Sequence, residues 1–248
     1  MPVKRLTAML LTCLLLLCCG CAMGRGAELN RYEGSFLDVF DTVTRVVVYA
    51  PDEAAAEEVI ARTHELLQRE HQLYDIYHTY AGMNNLKTLN DAAGGEPVPV
   101  DGRILELLAF SKDMYARTDG LVNVALGSVL RLWHDCREQG ILDPAHAAVP
   151  DGEALREAGR HADINDLELD EAAGTARLLD PQMRLDVGSV AKGFAVQYTA
   201  DVLAAEGVTN VLLSIGGNVC AIGGKPDGTP WRIGIQSPEG EGYLCAVA

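Results

Sequence analysis

The chain is short of positive charge. Its 248 residues carry 20 Lys and Arg against 35 Asp and Glu, a formal net charge of −15. Nucleic-acid binding needs basic patches that neutralise phosphates, so this balance argues against DNA or RNA as a partner. The positives are scattered and the acids fall mostly on predicted helix surfaces, a pattern that reads as solubility outside the cytoplasm. Usable cysteine is scarce as well. Of seven cysteines, Cys13, Cys18, Cys19 and Cys21 crowd the N-terminus, leaving Cys136, Cys220 and Cys245 in the body. Three widely separated thiols make no disulfide framework, and with no Cys-x-x-Cys pair among them the body shows no common structural zinc pattern. The six histidines (His64, His71, His78, His134, His146, His161) show no metal-ligand spacing. His71 and His78 are seven apart and could share a helix face, with a surface position as the expectation. No Ser-His-Asp arrangement is visible, and no repeat or low-complexity segment occurs.

Long apolar runs are also missing. Leu6 to Leu17 is too short to cross a bilayer. With Lys4 and Arg5 before it and Gly20-Cys21 after it, it reads as an export signal over residues 1–21. Cysteine after the cleavage position implies a lipoprotein acylated at Cys21 and anchored by lipid on the extracytoplasmic side of the cell envelope. Cleavage beyond Cys21, with plain secretion, is the alternative. Residues 22–35 are then a tether. Residues 36–248 are enough for a sizeable core, in one large domain or two small lobes.

Thr44 to Ala50 is rich in valine and predicts a strand. Pro51-Asp52 opens a long helix to about Tyr74, with Val59, Ile60, Leu66, Leu67 and Leu73 on one side. The polar stretch Gly82 to Gly95 reads as loop. Further helices are predicted over Gly102 to Arg117, closed by Thr118-Asp-Gly120, then near Gly127 to Glu138 and near Gly152 to His161. Leu167–Leu169 and Ala176–Leu179 pair as a hairpin around Gly174. Strands and helices mix without a βαβ rhythm, so the expected class is α+β.

The most informative stretch is Asp186-Val-Gly-Ser-Val-Ala-Lys-Gly193. It reads as a strand ending in an acid, a glycine turn, and a helix starting near Ser189. Val190, Phe194, Tyr198 and Val202 recur every four positions as its packing face. A helix start presents unpaired N–H groups and the positive end of its dipole, which suits a phosphate. Lys192 adds a full positive charge, and Asp186 can hold a metal or a ribose-like hydroxyl. No Gly-Lys-Ser/Thr closes the motif, so it is not a Walker A loop. The plainer alternative is a strand–helix turn packed by Gly188 and Gly193, with Asp186 as its capping acid and Lys192 in solvent.

Three ordered motifs in this half of the chain are the D-x-G-x-x-A-K-G run at Asp186–Gly193, the strand Val211-Leu-Leu-Ser-Ile-Gly-Gly-Asn218, and Pro230-Trp-Arg-Ile-Gly-Ile-Gln236. Together they resemble the core of the FAD:protein FMN transferases, the ApbE family. Thr118-Asp-Gly-Leu-Val-Asn-Val resembles that family's T-D-G-x-x-D-V loop, with Trp133 at the Leu-Trp that follows. Leu73-Tyr-Asp-Ile-Tyr77 resembles its segment carrying an FAD-contacting aromatic. The resemblance runs from about Phe36 onward and implies an α+β fold with a flavin nucleotide site between lobes. It implies magnesium-dependent transfer of FMN from FAD to a threonine or serine hydroxyl of a target protein, releasing AMP. Residue by residue, it assigns flavin nucleotide contacts to Phe40, Tyr77, Leu121, Val122, Asn123, Asp186 and Lys192. It assigns a Mg2+ ligand to Ser189, through hydroxyl or backbone carbonyl. The implied acceptor is an extracytoplasmic segment of a membrane redox subunit.

Two departures stand out. Asn123 replaces an aspartate, and Phe40-Asp41-Thr42 stands where Met-Gly-Thr is common, with Asp41 in place of a glycine. In the family the chain goes on to a Thr-Ser-Gly strand, a His-x-Ile-Asp-Pro segment and an Asp-Ala-x-x-Thr motif, none of which occurs in these 248 residues. The resemblance thus puts the candidate base beyond Ala248. The expectation is a C-terminally partial copy that transfers nothing alone. Two other functions stay open: a non-catalytic flavin-binding lipoprotein, and a magnesium-dependent FAD pyrophosphatase in which water attacks.

Overall fold

Valines at every second position make Thr44–Ala50 a strand with one face in the core. In the computed structural model, which describes residues 28–248, this strand (β2) buries Thr44, Val46, Val48 and Ala50. It pairs antiparallel along its whole length with β1 (Asn30–Phe36), from Asn30↔Ala50 to Phe36↔Thr44. Residues 30–35, expected as part of a tether, lie in this strand. The polar sequence of β1 hides an edge strand whose Tyr32, Gly34 and Phe36 are half-buried. Gly34 lies so close under Ile60 that an added Cβ would sit 2.7 Å from its Cγ2. The lipidation candidate Cys21 lies outside the described residues.

The run Val211–Asn218, expected as one strand, is a hairpin. β6 (Val211–Ile215) turns through Gly216 and Gly217, at φ of 53° and 88°, into β7 (Asn218–Ile222). A two-residue turn between antiparallel strands requires positive φ at both positions, which glycine supplies without strain. The sheet order is β1-β2-β6-β7, antiparallel throughout.

Helix α1 (Glu53–Tyr74) starts where Asp52 accepts a hydrogen bond from the Ala55 N–H. The segment expected as loop contains a short helix, α2 (Leu86–Asp91). Asn85 and Thr88 form a reciprocal capping box there, and fully buried Leu86 and Leu89 hold the turn in place. β3 (Val98–Pro99) precedes α3 (Gly102–Arg117), which ends as expected, with Asp119 and Gly120 both at positive φ. α4 (Gly127–Leu142) runs about one turn beyond the expected end, and α5 (Gly152–Gly159) follows. β4 (Leu167–Asp170) and β5 (Thr175–Leu178) form the expected hairpin, extended by β3 into a second antiparallel sheet.

α6 (Ala191–Ala205) begins after a turn over Gly188–Val190, two residues later than expected. Its fully buried residues are Ala191, Ala195, Val196, Thr199, Ala200 and Leu203; the expected stripe of Val190, Phe194, Tyr198 and Val202 is half-buried beside them. β8 (Ile233–Gln236) and β9 (Tyr243–Val247) form a separate hairpin, followed by Ala248, which is exposed. The fold is α+β, with helices laid against antiparallel sheets.

One polar group lies at the centre of the helical layer. Glu70 on α1 is fully buried. It takes two hydrogen bonds from the Arg103 guanidinium, at 2.9 and 3.2 Å, and a third from the Tyr74 hydroxyl at 2.5 Å. Arg103 also pairs with Glu106, and its guanidinium carbon stands 3.6 Å from the Tyr198 ring centroid and 4.8 Å from that of Phe194. Burial first, and the Glu70 charge next, push the Tyr74 phenol well above its ordinary value, so it remains a donor. Removing one partner of such a pair leaves an uncompensated buried charge. Arg103→Met is therefore expected to cost about 3–5 kcal/mol in urea unfolding. The double substitution Glu70→Leu with Arg103→Met should recover most of that loss.

Candidate functional site

Asp186 is delivered by backbone that belongs to no strand. The segment Arg184–Asp186 is held from two sides. On one, the Asn90 side chain donates to the Leu185 carbonyl at 3.0 Å and accepts the Leu185 N–H at 2.7 Å, standing in for a neighbouring strand. On the other, Asp186 N donates to Val124 O at 2.8 Å, and Gly127 N donates to Arg184 O at 3.0 Å. Gly127 allows this approach because a Cβ there would meet Arg184 O at 2.5 Å. The strand expected before Asp186 is thus a single parallel bridge, Leu126↔Arg184, completed by a side chain. Asp186 then closes its own turn, its Oδ1 accepting the Gly188 N–H at 2.9 Å, which leaves Oδ2 to face outward.

No side chain caps the start of α6; Val187 O accepts the Val190 and Ala191 N–H groups at 2.9 and 2.8 Å, and the N–H groups of Lys192 and Gly193 are left without a partner among the described residues. Lys192 is half-buried and forms no salt bridge among the described residues. Both groups look into a cleft of about 440 Å³ lined by Phe40, Asp41, His71, Asp75, Tyr77, Asp186, Gly188 and Lys192. A second hollow of about 340 Å³ continues from it through Tyr77 and Asp186 to Lys87, Leu130, Arg131 and His134.

The aromatic wall is set by Asp75. Its side chain is only 3% exposed, and it accepts from Tyr77 N (2.6 Å), His78 N (3.1 Å) and the Tyr80 hydroxyl (2.8 Å), with His78 Nδ1 at 3.0 Å. Burial acts to raise its pKa, but the hydrogen bonds from Tyr77, Tyr80 and His78 outweigh that, so the carboxyl titrates below its ordinary value. Tyr77 itself is half exposed, 5.3 Å from the His134 ring and tilted by 31°. Burial, and then the nearby Asp186 charge, raise its phenol above the ordinary value and keep it a neutral donor.

Of the residues singled out from sequence, Phe40, Tyr77, Asp186 and Lys192 come together around this cleft. Ser189 stands exposed in the turn between Gly188 and Ala191. Leu121, Val122 and Asn123 line neither hollow. Leu121 is 88% exposed, and Asn123 holds the loop, donating to Ala162 O and accepting from Ala125 N, both at 2.9 Å. That loop leads into Val124, which receives the Asp186 N–H. Gly216 faces Thr42, where a Cβ would meet Oγ1 at 2.7 Å, while Gly217 faces open space. Ala248, beyond which the resemblance puts the candidate base, lines neither hollow, and a base in that position lies outside the described residues.

Asn90, Asp75, His71, His134 and Arg137 were missed. The Asn85-x-x-Thr88 pattern carried the signal for α2 and so for Asn90; Asp75 is held by its own neighbours Tyr77, His78 and Tyr80, while His71 and His134 reach the cleft through contacts with Phe40 and Tyr77. His71 and His78 do not share a helix face, because α1 stops at Tyr74.

A magnesium site is incomplete among the described residues. No three His, Cys, Asp or Glu side chains converge there as metal ligands, and Ser189 offers only a hydroxyl and a carbonyl oxygen. Replacing Asn90 would strand the Leu185 backbone donor and acceptor in the core. Asn90→Leu is expected to cost on the order of 3 kcal/mol in chemical denaturation, and Asn90→Asp at least as much at neutral pH, because it keeps the acceptor but buries a carboxylate oxygen against the Leu185 carbonyl.

Residues 40–248 match the model of the ApbE family. The FAD:protein FMN transferase of Treponema pallidum (strain Nichols) is 31% identical, the match covering 94% of this chain and 66% of that protein. The FAD:protein FMN transferase of Klebsiella pneumoniae (strain 342) is 28% identical, covering 79% and 55%. Among solved structures, the ApbE protein of Thermotoga maritima superposes with a TM-score of 0.74 at 23% identity, covering 88% of this chain and 67% of that one. The flavin transferase ApbE of Vibrio cholerae gives 0.69 at 24% identity, covering 86% and 65%. These two likenesses show a common fold. The chain spans 55–66% of the length of the two relatives named. With three ordered motifs, a shared fold and a family match over most of its length, this chain belongs to the ApbE family.

Proposed function

We propose that the cleft binds FAD and that the chain serves an enzyme transferring FMN from FAD to a threonine or serine of a partner protein. The observation that carries this reading is the meeting of Asp186, Lys192 and the uncapped start of α6 with the aromatic wall of Tyr77 and Phe40. A dinucleotide needs both halves: positive, N–H-rich surface for its pyrophosphate and flat apolar surface for its rings.

In the proposed reaction the acceptor hydroxyl oxygen bonds to the FMN phosphorus, the P–O bond to AMP breaks, and AMP leaves with the bridging oxygen. The hydroxyl proton passes to a general base, a role that none of the residues assigned from the resemblance takes. Lys192 and the first-turn N–H groups hold phosphate oxygens, fixed before the charge develops. Asp186 Oδ2 accepts a hydroxyl of the nucleotide, while Oδ1 stays committed to Gly188. Tyr77, steered by Asp75, covers a ring and offers its neutral hydroxyl. Magnesium, when bound, supplies charge neutralisation at the pyrophosphate, and Ser189 would give it one oxygen. The acceptor is an extracytoplasmic segment of a membrane redox subunit, reached by a protein exported and anchored through Cys21.

The test is a fluorescence titration with FAD, followed by incubation with magnesium and a threonine-bearing acceptor fragment. Lys192→Ala should weaken FAD binding about tenfold, as loss of one charge-assisted contact, and Tyr77→Ala by a similar factor. Flavin fluorescence on the acceptor with equimolar AMP supports transfer. AMP and FMN without labelled acceptor would mean a pyrophosphatase, and bound FAD left intact would mean a carrier. No FAD affinity, or affinity indifferent to Lys192→Ala, would sink the reading.

A further inference from the structure

The lip of the cleft is in an unfavourable backbone conformation. Phe40 and Asp41 lie at φ of 55° and 49°, the left-handed region that a bulky L residue such as Phe40 holds only when neighbours impose it. Two histidines on α1, two helical turns apart, grip the segment. His64 Nε2 meets the Asp38 carboxylate at 2.9 Å. His71 Nδ1 accepts the Phe40 N–H at 3.2 Å, and the Phe40 ring stands edge-on to the imidazole with centroids 5.5 Å apart. Beyond Thr42 the segment is fixed again, where Gly216 N donates to Val43 O at 3.1 Å.

The two grips respond oppositely to a proton. The His64–Asp38 contact survives protonation, because an imidazolium beside a carboxylate is an ion pair. The His71–Phe40 bond does not: Nδ1 must be bare to accept an N–H, and once protonated it turns a donor toward a donor. Between the two anchored ends, only the Phe40–Asp41 pair then loses its restraint and can leave the strained conformation.

We infer that His71 is a proton-sensitive latch, whose neutral imidazole holds the Phe40–Asp41 lip in place over the cleft and whose protonation releases it. The geometry of the lip carries this inference, and only its effect on ligand affinity rests on the reading of the cleft as an FAD site. The charged and titratable groups around His71 are Asp38 and Asp41 on the lip, Asp75 and His78 past the end of α1, Asp186 and Lys192 beside α6, and Arg137 on α4. The latch is probed over about pH 5 to 8, where histidine side chains as a class change charge.

The Phe40 amide resonance in a 15N-labelled sample tests the latch directly. In the wild type it is expected to shift along one titration curve as pH falls. In His71→Asn, whose amide oxygen accepts the same N–H without titrating, it should stay flat. In His71→Leu, with no acceptor, it should sit at the low-pH position throughout. The FAD dissociation constant should rise about fivefold across that range in the wild type and stay constant in His71→Asn. A Phe40 resonance that is flat in the wild type, or that titrates equally in His71→Asn, overturns the latch. Absence of FAD binding at every pH overturns the nucleotide reading instead, and the Phe40 resonance still decides the latch. A titrating Phe40 with identical FAD profiles in the two proteins overturns the link between lip and ligand.

Discussion

The helical layer depends on one buried pair. Glu70 and Arg103 join α1 to α3, and the aromatic rings that cover the guanidinium bring in α6. Both walls of the cleft are continuations of those helices. The end of α1 carries His71 and leads to Asp75 and Tyr77; the start of α6 carries Lys192. The desolvation cost of two buried charges is offset here by three hydrogen bonds to Glu70 and by stacking on Arg103. Apolar side chains of equal volume could fill the same space, but they would not fix the rotation of three helices about one another as directional hydrogen bonds do.

The cleft draws its chemistry largely from backbone. The start of α6 offers N–H groups because nothing caps it, and the Asp186 segment is placed by hydrogen bonds that in a sheet would come from a neighbouring strand. A protein with net charge −15 needs such local arrangements to attract an anion. Two of the nearby carboxylates, Asp75 and Asp186, are kept from dominating by commitments of their own. Asp75 is saturated by four donors, and half of Asp186 by one.

Much of this was legible in the sequence. The valines of β2, the Asp52 cap and the Thr118-Asp-Gly120 stop mark their elements because local periodicity and turn chemistry agree with the tertiary fold. Asp186, Lys192, Tyr77 and Phe40, singled out through motifs, line one cleft. β1 was not legible, because its one half-buried face, Tyr32, Gly34 and Phe36, is interrupted by glycine and begins among polar residues. Nor was α2, whose six residues are too few for periodicity and whose capping box was read as loop punctuation. The role of Asn90 lies in a contact 95 residues away, which no local pattern records. Asn123, read as a ligand contact, spends its amide holding its own loop.

The attachment of α4 gives the cleft a mechanical property. Of its sixteen residues only Gly127, at the first position, is fully buried; His134 and Arg137, farther along, form part of the rim. The helix, about 24 Å long, is seated at its root where Gly127 meets Arg184 and lies along α5 beyond it. The rim residues His134 and Arg137 are thus carried on a helix that packs against α5 rather than on the sheets, and the placement of α5 bears on the width of the cleft mouth.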